Sequence, residues 1–143
     1  MQNLTGAPRW TDGIYRTLAE LGRQQGFKAA CTPHGDEREW LYDVIWYQES
    51  GTGLDLRLLS LPMVAECEWN PYGIGDDFEK LLVANADTRL FVCCPRETHW
   101  PELRQYFEES IQGFRQNRPG DRYIIAWIRL DHGDPHFDLF VKR

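Results

Sequence analysis

The chain has 143 residues, 42% of them hydrophobic and 27% charged, with six Trp, six Tyr, seven Phe and a net charge of −6. That length suits one domain with one substantial core, the aromatic content excludes a disordered segment, and the acidic balance argues against a protein that coats nucleic acid indiscriminately. No apolar run approaches the length that crosses a bilayer, and the opening MQNLTGAPRW lacks the charged-then-apolar layout of a secretory signal. The expectation is a single cytoplasmic domain spanning 1–143.

In chain order, Thr11 and Asp12 are N-cap types followed by Ile14, Leu18 and Leu21 at helical spacing, with Gly26 as a stop. This predicts a helix over 12–25, with Glu20 at the edge of its apolar stripe. Phe27–Thr32 reads as a strand closed by the turn Pro33-His34-Gly35-Asp36, and Leu41–Tyr47 as a strong strand of β-branched and aromatic residues. Leu56–Trp69 reads as another strand, bent near Pro62, and Gly51-Thr52-Gly53 suggests a hairpin between the two.

After the breaker Asn70-Pro71-Tyr72-Gly73, Asp76 is expected to cap a short helix with Phe78, Leu81 and Leu82 on its core face. Thr88–Cys94 is a nearly continuous apolar strand of the buried type. Thr98 should open the longest helix, with Leu103, Phe107, Ile111 and Phe114 as its stripe and Asn117–Gly120 ending it. Tyr123–Leu130 and His136–Lys142 read as a closing hairpin. The order αβββαβαββ predicts an α/β fold with a mixed central sheet flanked by helices.

The four cysteines, at 31, 67, 93 and 94, form no CxxC pair and read as small buried residues. Cys31 and His34 have a zinc-like spacing that no second pair matches. The run Asp131–His136 (DHGDPH) holds two histidines and two further acids, but Gly, Asp and Pro have backbone reasons to occupy a turn. Trp40, Trp46, Tyr47, Trp69 and Tyr72 flank the acidic strands. They suit strand packing more simply than base stacking. Arg104, Arg115, Arg118 and Arg122 could hold phosphates or merely keep a helix face soluble.

Charge is concentrated: from Asp36 to Asp87 there are twelve acids and three bases. Within that stretch, Val64–Trp69 carries the most information. Alternation puts Glu66 and Glu68 on one strand face, where two carboxylates repel unless solvent or a cation separates them. Asp43 sits inside an apolar run, where burying an acid without a partner is costly. Were their two strands to pair, the three carboxylates could meet at one end of the sheet. Hard oxygen donors in that number suit Mg²⁺ or Mn²⁺, and Lys80, on the next helix, could steer water or offset phosphate charge.

A helix with Glu20, a strand with Asp43, a strand with Glu66-x-Glu68, then a helix and a strand resemble the PD-(D/E)XK nuclease superfamily over roughly residues 12–94. The resemblance implies a restriction-endonuclease-like core and Mg²⁺- or Mn²⁺-dependent hydrolysis of phosphodiester bonds, in DNA more often than RNA. It makes Asp43 and Glu66 the metal-binding acids and Glu20 an accessory acid. Glu68 stands where most members carry the catalytic lysine; some use E-x-E, and in others the lysine has moved to the following helix, where Lys80 lies. Tyr42 replaces the motif's proline. Small domains of this kind often act as homodimers or inside larger complexes. The competing expectation is a small acidic binding protein, of immunity or antitoxin type, whose carboxylates mimic a phosphate backbone and block a basic partner.

Overall fold

The computed structural model describes residues 7–31, 41–129 and 133–143, with side chains from residue 10 onward. The fold is α/β: helices flank a six-stranded mixed sheet in the order β1 to β6. Its elements are α1 (Ala7–Gln24), β1 (Lys28–Cys31), β2 (Val44–Ser50), β3 (Arg57–Glu68), α2 (Ile74–Leu82), β4 (Thr88–Cys93), α3 (Trp100–Gly113), β5 (Arg122–Trp127) and β6 (His136–Val141). No helix among the described residues is long and apolar enough to cross a membrane. The chain divides into two compact units, Met1–Pro62 and Met63–Arg143.

In the first unit α1 packs on the antiparallel pair β1 and β2, whose register runs from Lys28↔Tyr47 to Cys31↔Val44. The helix meets the strands through small residues. Tyr15 and Ala19 are buried, a Cβ on Gly22 would lie 2.6 Å from the Trp46 ring, and the Trp46 indole N–H donates to the Leu18 carbonyl at 2.8 Å. Leu21, expected on the core stripe, is instead 42% exposed. A large indole fills the space that a small-residue face leaves, so the burial stripe turns away from the leucine.

The strand expected over Leu41–Tyr47 is displaced. β2 begins at Val44, the last described rung with β1, and continues to Ser50 through polar residues whose ladder bonds need no apolar side chain. Asp43 therefore precedes the strand rather than lying within it. The expected turn at Pro33–Asp36, and with it His34, lies outside the described residues, as does Trp40.

β3 runs unbroken through Pro62. Proline is tolerated there because pairing with β4 starts one residue later, at Met63↔Thr88, so no donor is missed in that ladder.

In the second unit β3, β4 and β5 are parallel and β6 is antiparallel to β5. The crossovers α2 and α3 lie on the same sheet face. Phe78 of α2 and Phe107 of α3 sit 4.5 Å apart between ring centroids, and both pack on Phe91 of β4. Tyr123 and Trp127 of β5 extend that aromatic layer. Burial of rings this large contributes on the order of 2–3 kcal/mol each, which makes this layer the main stabilising feature of the unit.

Both helices start differently from the sequence expectation. A 3₁₀ turn, Pro71–Gly73, leads into α2, whose N-cap is Gly73, so Asp76 occupies the first helical turn instead of the cap. A second 3₁₀ turn, Glu97–His99, precedes α3. The helix ends at Gly113, before Phe114. Asn117 then caps it from outside: its buried side-chain amide donates to the Ile111 carbonyl at 2.9 Å and accepts the Tyr123 hydroxyl at 2.6 Å.

Arg89 is also buried, its guanidinium donating to the Leu81 and Ala84 carbonyls at the end of α2 and stacking over Tyr123. At the C-terminal end of β6 the Gln112 amide donates to the Val141 carbonyl and accepts the Arg143 N–H.

Candidate functional site

Because β-strand side chains alternate, Glu66 and Glu68 leave β3 on the face covered by α2 and α3, in line with their register partners Phe91 and Cys93. Glu66 lies deep in this face, with a relative exposure of 2%. A buried carboxylate costs several kcal/mol unless charge or hydrogen bonds compensate it. α2 supplies a charge: the Lys80 ammonium stands 3.8 Å from Oε2 of Glu66 and 3.0 Å from Oδ1 of Asp77, one helical turn earlier. The lysine is half-exposed, so one end of this small network reaches solvent.

Glu68 has a different surrounding. Its Oε1 accepts the Asn70 N–H at 2.7 Å, and its Oε2 lies against Gly73, where a Cβ would collide with the carboxylate. Asn70 in turn accepts the Tyr72 N–H through its side chain. The carboxylate thus organises the turn that aims α2, and so Lys80, back toward β3.

The structure therefore brings Glu66 and Lys80 together and seats Glu68 beside them on the same strand face. Asp77, which sequence reading passed over, joins them; its only signal was i,i+3 spacing to Lys80 on a helix. Asp43 and Glu20 belong to the first unit. Asp43 is half-buried ahead of β2, and Glu20 is exposed on α1, accepting a hydrogen bond from Gln24. Among the described residues no group of three or more His, Cys, Asp or Glu side chains is arranged to hold a metal ion. Of the other acids of the charged stretch, Asp55, Asp76, Glu79 and Asp87 are exposed.

A second cluster lies on the same face and in the same unit. Trp100 opens α3 with its indole N–H on the Pro95 carbonyl. Around its ring stand Arg129 at 4.9 Å, Arg104 at 5.7 Å and the near-parallel His136 imidazole at 5.8 Å. Asp138 Oδ2 accepts from Arg104 at 2.7 Å and from the Trp127 indole at 2.8 Å, while Oδ1 lies 3.4 Å from His136. Burial pushes the Asp138 carboxyl up, but these hydrogen bonds and the charges of Arg104 and His136 outweigh it and leave it below the usual carboxylate range. Of the DHGDPH run, Asp131 and His132 fall outside the described residues, and His136 belongs to this cluster.

There is no disulfide among the described residues. Burial, with the neighbouring Cys94, pushes the Cys93 thiol far up, which leaves it a packing residue and not a nucleophile.

No protein-family model matches this chain, and no curated protein or solved structure matches it.

Proposed function

We propose that the chain is a divalent-metal-dependent nuclease of PD-(D/E)XK type, acting on phosphodiester bonds of nucleic acid, with its centre on Glu66, Glu68 and Lys80. The observation that carries this reading is the buried Glu66 carboxylate beside the lysine of the following helix. An acid placed at 2% exposure with an ammonium 3.8 Å away is costly to build for stability alone, because an apolar pair of similar size serves the core as well or better. The element order from α1 through β4, on which the resemblance rests, also supports it.

The donor chemistry fits a hard cation. Mg²⁺ is commonly bound through one or two carboxylates and completes its shell with water and substrate oxygens, and Glu66 and Glu68 would hold it. When bound, such an ion supplies Lewis-acid activation of water and of the phosphoryl oxygen. Lys80 would then hold a proton-bearing donor toward the phosphate, and Asp77, 3.0 Å away, would orient the ammonium. Asp43 enters only through the resemblance, as a further acid. A protein acting through acidic mimicry presents exposed carboxylates, as Asp55, Asp76, Glu79 and Asp87 are, whereas the buried Glu66 calls for another role.

The test is cleavage of plasmid DNA and of labelled RNA with Mg²⁺ or Mn²⁺, alongside Mn²⁺ calorimetry. Glu66→Gln or Asp43→Ala should abolish cleavage and weaken Mn²⁺ binding while the fold survives. Cleavage that persists in both variants refutes the assignment.

A further inference from the structure

We propose that Arg104, Arg129 and His136, gathered as a platform over the buried rings of Trp100 and Trp127, bind a backbone phosphate of the nucleic-acid substrate; this rests on the nuclease reading and supplies it with a binding surface. Three observations carry it.

The first is position. Glu68, Cys93, Trp127 and His136 are successive register partners across β3, β4, β5 and β6, so the platform and the acidic centre share one row at the carboxyl ends of the parallel strands. That end is where open α/β sheets place their ligands. Three inter-strand steps of about 4.8 Å separate Glu68 from His136 by roughly 14 Å. This is on the order of four base steps at ~3.4 Å of rise, a span one substrate strand can bridge.

The second is charge. In a chain of net −6, three potentially cationic side chains converge on a single indole. An anionic polymer approaching an acidic protein needs local cationic donors to dock. Asp138 and Glu97 stand against the two arginines, so the cluster offers a phosphate donors already gathered in one place, in exchange for its own carboxylates. Asp138 is committed to Arg104 and Trp127, and Glu97, which meets Arg129 Nε at 3.0 Å, is itself 58% exposed. Glu97 is the exposed member of that pair and Arg129 the partly buried one, with its Nε enclosed, so the carboxylate is the side that can swing away as a phosphate approaches.

The third is preorganisation. Each guanidinium meets its acid through Nε, and a guanidinium has five N–H donors in a rigid fork, more than one acid consumes. Trp100, 5% exposed and held by its bond to Pro95, fixes the plane against which Arg129 stacks. Little side-chain freedom is left to lose on binding.

The experiment is anisotropy of fluorescein-labelled 20-nucleotide DNA and RNA, single-stranded and duplex, in EDTA across a salt series. Arg129→Gln combined with His136→Gln should weaken binding about tenfold and reduce the salt slope by roughly one to two units, as loss of one or two phosphate contacts requires. Glu97→Gln, a change at an exposed site that leaves the fold intact, should tighten binding. Unchanged affinity and slope in both variants, or no binding by the wild type at low salt, overturns the platform. Cleavage assayed on the same preparations separates the two readings. Glu66-dependent cleavage with unaltered binding in the platform variants removes only the platform. Platform-dependent binding without cleavage removes only the nuclease.

Discussion

Gly73 carries no side chain at the point where a Cβ would run into Oε2 of Glu68, the carboxylate whose other oxygen takes the Asn70 N–H. Gly73 has φ −93°, open to any residue, so its identity is set by the carboxylate and not by backbone conformation. Gly73→Ala should therefore push the Glu68 carboxylate off the Asn70 N–H and cost about 1 kcal/mol, the usual worth of one such hydrogen bond. In the Glu68→Ala background the same change should be nearly neutral. A double-mutant cycle by urea denaturation reads this coupling.

Lys80 links stability to function. It is half-exposed, but it faces a carboxylate of 2% exposure, so Lys80→Met leaves a buried charge with less compensation and should lower stability by about 1–3 kcal/mol, more than a surface pair would. If it faces the phosphate, the same change should slow metal-dependent cleavage by roughly 10²–10³-fold, the usual loss for one preorganised donor. Denaturation and single-turnover cleavage of one preparation give both numbers.

Gly22 is a test of the first unit alone. Alanine is the better helix former by ~1 kcal/mol, yet its Cβ would lie 2.6 Å from a Trp46 ring pinned by its bond to Leu18. Overpacking of about 1–3 kcal/mol outweighs the propensity gain. Gly22→Ala should lower the urea midpoint, where propensity alone would raise it.

Asp138 gives a pH signature. Its folded-state carboxyl lies below the ordinary value of 3.8, so it binds protons more weakly folded than unfolded. Its contribution to stability is complete above the unfolded value and is lost as pH falls from there through the lower folded value. Asp138→Asn should remove that part of the acid limb, leaving a flatter stability profile below about pH 4. Chemical denaturation at several pH values measures it.

Much of this was legible in the residues. The element order follows from periodicity and breakers, and the pairing of Glu66 with Lys80 was foreshadowed by a strand acid followed by a lone base on the next helix. Other features were hidden for physical reasons. Leu21 looked like core because a sequence stripe rewards large residues, whereas α1 packs through Ala19 and Gly22 under an indole. Asp43 looked like a strand residue because its neighbours are apolar, but an apolar run marks burial better than it marks the residue at which a strand begins. The platform around Trp100 joins residues from α3, β5, the segment after β5 and β6, and only the sheet register brings them into one place.

β6 lies at the end of the sheet order, and Phe137, Leu139 and Val141 are exposed along it. An outer strand of that character invites a second chain to add on. The amide of Gln112 takes the place of such a chain at the strand's last turn, engaging the Val141 carbonyl and the Arg143 N–H as a neighbouring strand would. A helix side chain thus acts as a stopper against polymer growth. Gln112→Ala should leave the monomer folded while making concentrated solutions scatter light and bind thioflavin sooner than the wild type.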